Sequence, residues 1–227
     1  MTAVRRALVT GTSSGIGAAI ARRLLDDGWA VAGLDRSPAL LDDPGYAHHV
    51  VDLTDAAALG RCLDRVGGVT ALVHAAGFMR TAALGALAPA DGAAMWALHV
   101  DVAARLADAL APALGPDGRI LLIGSRTAAG AAGRSQYAAT KAALVGMARS
   151  WAIELAPRGV TVNVIAPGAT DTPMLNDPGR AGVAPRLPPI GRFVRPDEVA
   201  ALAAFLLGPA GAAITGQQIV ICGGASL

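Results

Sequence analysis

Residues 7–27 set the strongest limit on what this chain can fold into. The apolar run at 7–10 passes directly into Thr10-Gly11-Thr12-Ser13-Ser14-Gly15-Ile16-Gly17, and a helical pattern follows over 16–27. A short apolar strand that ends in glycines and turns straight into a helix is the opening of a parallel β–α–β unit. The alternation continues. Strands are predicted over 7–10, 30–34, 49–51, 71–74, 120–124, 161–165 and 219–221, and helices over 16–27, 56–66, 91–114, 135–156 and 196–207. Most of the strand segments are continuous apolar runs, as expected of parallel strands covered on both faces. Two stretches break the pattern. Between Leu34 and His49 there is too little chain for a crossover helix, and Pro38 and Pro44-Gly45 interrupt it further. Residues 173–195 are rich in Pro and Gly and read as an irregular flap, a kind of segment that often covers a site.

No repeat, charge block or low-complexity linker divides the 227 residues, so one α/β domain over 1–227 is expected. It is a doubly wound, Rossmann-like fold whose mostly seven-stranded parallel sheet is flanked by helices. A net charge of +2 with 16% charged residues gives no electrostatic case for nucleic acid as a partner. Cys62 and Cys222 match no metal or redox spacing and fit a reducing compartment. The N-terminus lacks the pattern of a signal peptide. Residues 199–227 carry no charge, but Gly208-Pro209 and Thr215-Gly216-Gln217-Gln218 interrupt them, which favours a helix and a buried strand over a membrane span. A cytoplasmic protein with no membrane partner and no metal is the expectation.

The glycine loop has a chemical reading. Gly11 permits a tight turn, Gly15 lets backbone approach a pyrophosphate, and Gly17 lets the helix pack close to the sheet. Ser13, Ser14 and Ile16 lie in the same loop, and the helix N-terminus offers free N–H groups to an anion. The spacing GxxxGxG differs from the commoner GxGxxG. It still sits in the strand–turn–helix context that dinucleotide binding needs. Asp35 ends the second strand, where a carboxylate bonds the ribose hydroxyls of NAD and repels the extra phosphate of NADP. At about 4 Å and an effective dielectric near 20 that repulsion is roughly 4 kcal/mol. The adjacent Arg36 is able to offset part of it. NAD is therefore favoured over NADP.

Tyr137 and Lys141 lie one turn apart at the start of a helical segment and share a face. A nearby ammonium, or an oxidised nicotinamide, favours the phenolate, which lets tyrosine exchange a proton with an alcohol or ketone. Lys141 is the only lysine among 19 Lys and Arg residues, one turn from one of the two tyrosines.

With these residues in hand, the chain resembles the short-chain dehydrogenase/reductase family over nearly its whole length. The marks are Thr10–Gly17, Asp52-Leu53, His74-Ala75-Ala76-Gly77, Ser125, Tyr137-x-x-x-Lys141, Pro167-Gly168 and the terminal Thr215-Gly216-Gln217 with Gly223-Gly224. The resemblance implies that Ser125 bonds the substrate oxygen while Tyr137 transfers the proton. It implies that Lys141 binds the nicotinamide ribose and supports the tyrosine. Asp52 and Leu53 would lie against the adenine, Ala75, Ala76 and Gly77 along the cofactor's middle, and Pro167, Gly168, Thr170 and Thr172 around the nicotinamide.

Two departures stand out. His74 opens a motif that is usually Asn-Asn-Ala-Gly, and His99 stands where the family has a relay asparagine. The His99 backbone carbonyl survives that change. Its imidazole is a candidate proton shuttle, and hydrogen-bonded packing is the alternative for both histidines. The short flap, with Arg180, Arg186 and Arg192 among few bulky apolar residues, favours a small or polar substrate or a wide pocket open to a carrier. The reduced second crossover, Asp35, Ala75-Ala76-Gly77 with Arg80, and Thr170-Asp171-Thr172 are similar to NAD-dependent members that oxidise cyclic alcohols or dihydrodiols, with Arg80 either pairing a substrate carboxylate or lying in solvent. An NADPH-dependent 3-oxoacyl-carrier-protein reductase is the nearest rival, and cofactor preference separates the two. A nucleotide-sensing binding protein without catalysis is the rival from another class. The segments 91–114 and 135–156 are apolar around much of their circumference, and in the family such helices pair between subunits, so a homodimer or homotetramer is expected.

Overall fold

The computed structural model describes residues 5–180 and 184–227. In chain order it contains β1 (Arg6–Thr10), α1 (Gly15–Asp26), β2 (Ala30–Asp35), β3 (Tyr46–Val50), α2 (Ala56–Leu63), β4 (Ala71–His74), α3 (Pro89–Trp96), α4 (Val102–Leu110), β5 (Arg119–Ile123), α5 (Ser135–Leu155), β6 (Thr161–Pro167), α6 (Pro196–Leu207) and β7 (Gln218–Ile221). The strands form one parallel sheet in the order β3-β2-β1-β4-β5-β6-β7. The order reverses direction between β1 and β4, which pair from Ala7 against Ala71 to Thr10 against His74. A crevice opens at the carboxyl ends of such a pair.

Strand alternation divides the core. Leu8, Leu34, Leu72 and Ile120 face Leu59, Val102, Leu106 and Leu144 on one side of the sheet. Ala7, Val9, Val73 and Leu121 face Ile20, Leu24, Val199 and Leu206 on the other. Successive strand residues thus bury into opposite layers, which explains the continuous apolar runs in the sequence. The uncharged C-terminal stretch resolves into α6 and β7, but the expected buried strand is a half-exposed sheet edge with Val220 45% exposed, and no helix among the described residues is long and apolar enough to cross a membrane.

The segments flagged as irregular are so. No helix forms between β2 and β3. The flap contains only short 3-10 turns at Pro173–Asn176 and Pro178–Arg180 and a bridge from Thr170 to Val194. Its residues 181–183 lie outside the described residues. One expectation needs correction. The continuous helix predicted over 91–114 begins instead at Pro89 and is interrupted by a π-helical turn, Ala97–Asp101, before α4. There the Val102 N–H donates to the Ala97 carbonyl rather than to that of Leu98.

The cause lies in the buried polar links beneath that turn. The Thr10 hydroxyl accepts the N–H groups of Ala75 and Ala76, each at 3.0 Å. Its own proton therefore points to Nδ1 of His74, 3.0 Å away. That leaves Nε2–H of His74 to donate to the Leu98 carbonyl at 3.1 Å. The carbonyl released from the regular ladder is thus satisfied by a side chain. Both ring nitrogens of His74 are engaged, so it is a packed, hydrogen-bonded core residue.

Burial, reinforced by the charge of Lys141, pushes the pKa of His74 from 6.5 down to about 3. A histidine that stays neutral in the fold but is protonated in the unfolded chain withdraws stability as pH falls below 6.5. One such proton contributes a slope of about 1.4 kcal/mol per pH unit. Chemical unfolding of wild type and His74→Asn between pH 6.5 and 4 is expected to show a shallower loss in the variant by up to that slope. Equal slopes would mean that His74 takes up no extra proton on unfolding.

Candidate active site

A cavity of about 1130 Å³ follows the carboxyl ends of the strands. It begins at the glycine loop. Gly11 and Gly15 have φ of +76° and +53°, a region that favours glycine. A Cβ on Gly17 would stand 2.2 Å from the Gly11 carbonyl oxygen, so α1 can approach β1 only without a side chain there. No side chain caps α1 and no acidic residue lies in its first turn. Its free N–H groups and partial positive charge are left to the cavity.

Asp35 stands at the end of β2. Its Oδ2 accepts the Ser13 N–H at 3.0 Å and its Oδ1 the Ser37 N–H at 2.9 Å. Two backbone donors thus fix the carboxylate against the cavity wall, with acceptor capacity remaining on each oxygen. Arg36, beside it, is exposed and also lines the cavity. Ser13 does not line it. Its hydroxyl donates to the carbonyls of Ser37 and Pro38, so Ser13 ties the phosphate loop to the turn after β2. Beyond β3, Asp52 accepts from the Thr54 N–H and hydroxyl, which hold its carboxyl below the usual range, and Leu53 is buried next to it. The remaining residues anticipated around a cofactor, namely Gly11, Ser14, Gly15, Ile16, Gly17, Ala75, Ala76, Gly77, Pro167, Gly168, Thr170 and Thr172, all line the same cavity.

Ser125, Tyr137 and Lys141 meet at its inner end, and all three are buried. Ser125 caps a 3-10 turn, accepting the Thr127 N–H at 3.2 Å, and its hydroxyl shares a hydrogen bond with that of Thr127 at 2.9 Å. Tyr137 and Lys141 project from the first turns of α5. The Lys141 ammonium donates to the Ile123 carbonyl at 2.9 Å. Burial pulls its pKa from 10.5 down to about 7. Tyr137 behaves otherwise than expected of a ready phenolate. Burial raises its pKa, while the Ser125 hydroxyl, Arg180 and Arg134 pull it back. In the protein alone the phenol therefore keeps its proton.

His99 sits in the π turn, fully buried. Its Nε2 accepts the Phe78 N–H at 3.2 Å. Its Nδ1–H then donates to Thr140 Oγ1 at 2.9 Å, and the Thr140 hydroxyl donates to the Tyr137 carbonyl at 2.8 Å. The ring meets Tyr137 edge-on at 5.7 Å. Burial and the charge of Lys141 hold its pKa well below the ordinary value. Both nitrogens are occupied and the ring stays neutral. Arg80, a candidate for substrate contact, is committed elsewhere: its Nη1 donates to the Met79 carbonyl at 3.0 Å and approaches Asp177 at 3.5 Å.

Thr127, Thr140 and Arg134 shape the site and carry no signal in the sequence, whereas Thr10 and Arg180 are visible there only as members of the glycine loop and of the flap. Threonines and arginines carry no periodic signal, and their partners are remote in sequence.

The comparisons with known proteins agree with this geometry. Residues 11–226 match the family model described as Enoyl-(Acyl carrier protein) reductase. The chain is 34% identical to the (2S)-[(R)-hydroxy(phenyl)methyl]succinyl-CoA dehydrogenase subunit BbsD of Thauera aromatica, covering 98% of this chain and 97% of that protein. It is 36% identical to the 3-oxoacyl-[acyl-carrier-protein] reductase FabG of Vibrio cholerae, covering 96% of each. A crystal structure of a short chain dehydrogenase from Burkholderia cenocepacia in complex with NADP superposes with a TM-score of 0.85 at 36% identity, covering 98% of both chains.

A buried Lys141 has a predicted signature in stability. Below pH 7 the folded protein holds a desolvated ammonium, whereas between pH 7 and 10.5 it binds fewer protons than the unfolded chain, so the penalty shrinks as pH rises. Lys141→Met is expected to melt higher than wild type at pH 6, with a difference that narrows toward pH 10. A difference independent of pH would contradict a buried, titrating Lys141.

With the glycine loop, the parallel sheet, the Ser125–Tyr137–Lys141 cluster and these full-length matches together, the chain belongs to the short-chain dehydrogenase/reductase family and is an NAD(P)-dependent oxidoreductase acting on CH–OH groups.

Proposed function

We propose that the enzyme interconverts a secondary alcohol and its ketone with NAD as the preferred cofactor and Tyr137 as general acid and base. The observation that carries the cofactor preference is Asp35, whose carboxylate is pinned by the Ser13 and Ser37 N–H groups where a ribose would lie. A fixed carboxylate accepts from ribose hydroxyls, and it opposes the phosphate that NADP carries there.

The residues present fit a dinucleotide. The glycine cradle would be filled by any Cβ at Gly17, and the uncapped α1 N-terminus opens into the cavity. Gly11, Ser14, Gly15, Ile16 and Gly17 would hold the pyrophosphate, Asp35 the adenosine ribose, and Asp52 and Leu53 the adenine. Arg36 would flank that ribose, and Ser13 supports Asp35 from behind. Ala75, Ala76 and Gly77 would line the middle. Lys141 would hold the second ribose, and Pro167, Gly168, Thr170 and Thr172 would surround the nicotinamide. Accepting or donating hydride is the chemistry that a bound nicotinamide supplies. Ser125 orients the substrate oxygen, and the Tyr137 hydroxyl gives or takes the proton at that oxygen. With its pKa raised by burial, Tyr137 is suited to donate, and positive charge placed beside it is what makes it a base. His99 acts as a positioning residue in this reading. Its two hydrogen bonds brace the Gly77–Phe78 turn against α5, and its backbone carbonyl remains the candidate holder of a relay water.

The second reading is an NADPH-dependent 3-oxoacyl-carrier-protein reductase, favoured by the identity to FabG and by the NADP-bound structural relative. The Thauera relative, named a dehydrogenase of a hydroxy-substituted succinyl-CoA, supports the alcohol-oxidising direction. We read the enzyme as a cytoplasmic homodimer or homotetramer. Ile153 on α5 is 77% exposed and Trp96 on α3 44% exposed, apolar faces that suit a second copy.

Steady-state rates with both cofactors test the assignment. The specificity constant for NAD is expected to exceed that for NADP by about tenfold or more, and Asp35→Ser to erase most of that ratio. A wild type that prefers NADP overturns the NAD reading and selects the reductase. Tyr137→Phe is expected to lower kcat by about 10²–10⁴-fold with little change in nucleotide binding. His99→Asn is expected to keep the wild-type pH–rate profile, whereas a lost or displaced limb would return the imidazole to the proton path.

A further inference from the structure

Charge at the substrate end of the cavity is one-sided. The carboxylates that line the cavity, Asp35 and Asp52, belong to the β2 and β3 side. Arg126, Arg134 and Arg180 line it as well, and Arg134 and Arg180 are near enough to Tyr137 for their charges to act on its hydroxyl. None of these three arginines takes part in the ion pairs found among the described residues, which join Arg23, Arg80, Arg119, Arg192 and Arg195 to acids. The Nε atoms of Arg134 and Arg180 are buried without a hydrogen-bond partner. Arg180 spends one Nη1–H on the Met174 carbonyl at 3.1 Å. Arg134 also feels the repulsion of Arg180 and Arg126, which adds to burial in weakening its hold on its proton.

Guanidinium donors left unsatisfied, close to like charges and outside the ion pairs given above, are costly to keep, and such groups in native structures call for an explanation. Their support is deliberate in form. Arg80 pairs with Asp177, the Asp177 carboxylate accepts the Gly179 N–H at 2.6 Å, and the Asp177 carbonyl accepts the Arg180 N–H at 3.0 Å. A Cβ on Gly179 would stand 2.3 Å from Arg80 Nη1, so the guanidinium packs flat against that turn. Arg80 therefore holds the turn that carries Arg180, and Arg134 comes from the N-terminus of the helix that carries Tyr137.

We propose that Arg134 and Arg180 form a carboxylate clamp beside Tyr137, and that the physiological substrate is a secondary alcohol or ketone bearing its own carboxylate near the reacting carbon. The planar guanidinium of each arginine, through its Nη–H groups, matches the oxygens of a carboxylate. The clamp would fix which face and which carbon of the substrate meet the Tyr137 hydroxyl, and it would exclude neutral alcohols of the same size. The proposal rests on the alcohol–ketone chemistry set out above and adds the substrate class.

The test compares 2-, 3- and 4-hydroxy acids with their methyl esters, following nicotinamide absorbance in wild type, Arg180→Gln and Arg180→Lys. The best acid is expected to exceed its ester in kcat/KM by about 30-fold or more, and Arg180→Gln to bring that ratio near one, with partial recovery in Arg180→Lys. Succinate binding to the NAD-loaded protein, measured by calorimetry, is expected to weaken about tenfold or more in Arg180→Gln. Equal use of acid and ester, a ratio unmoved in a folded Arg180→Gln, or inorganic phosphate binding where succinate does not, overturns the clamp. Turnover of no alcohol by wild type counts against the alcohol–ketone reading instead. In that case the succinate measurement alone decides the clamp, and its absence in wild type overturns it.

Discussion

The hydroxyl of Thr10 is the point on which the rest of the site hangs. It ends β1 at the place where the sheet changes direction, accepts two backbone N–H groups from the start of the β4 loop, and gives its proton to His74. With those bonds made, the loop Ala75–Gly77 has one course across the crevice. His74 passes the constraint to the Leu98 carbonyl, and the helix widens there into a π turn. The turn presents His99 to Phe78 on one side and to Thr140 on the other, and Thr140 holds the carbonyl of Tyr137. A series of short polar links thus joins the glycine loop to the helix that bears Tyr137 and Lys141. Each donor in this series finds an acceptor, which is why two neutral histidines are stable in the core.

The two ends of the cavity are built by opposite means. At the glycine loop, side chains are removed so that backbone dipoles face the space, and the Asp35 carboxylate is fixed at the cavity wall by two backbone donors. At the Tyr137 end, side chains supply the field. Lys141 is buried to the point where its charge is conditional near neutral pH, and Arg134 and Arg180, which enter none of the ion pairs found among the described residues, add positive charge. Burial raises the Tyr137 pKa and these cations lower it. The balance leaves the phenol protonated until more positive charge or a substrate oxygen arrives.

Much of this was legible in the chain. The order of strands and helices followed from apolar runs and their periods, because each element buries its face within a short stretch of sequence. The glycine loop, Asp35 and the Tyr137–Lys141 pair were legible for the same reason: their geometry is local to one turn or one helix. The break at Ala97–Asp101 was not, since no proline or glycine marks it. It arises from His74, which reaches Leu98 from a different strand. Ser13 was expected beside a cofactor and is not among the residues lining the cavity, its hydroxyl being taken by the turn after β2. Arg80 looked available for a substrate and is spent on Asp177, on the far side of the cavity in sequence.

What the sequence by itself determined is therefore the parallel sheet, the glycine turn into α1 and the shared face of Tyr137 and Lys141, all of which depend on spacing along the chain. What only the tertiary structure decided is the state of the polar groups: which histidines are locked neutral, that Arg80 is paired with Asp177, and which arginines line the cavity outside the ion pairs found among the described residues. Those outcomes depend on burial and on partners as far apart as Thr10 and His74 or Arg80 and Asp177. A charge or a proton responds to everything within a few ångströms in space, and separation along the chain does not fix that distance.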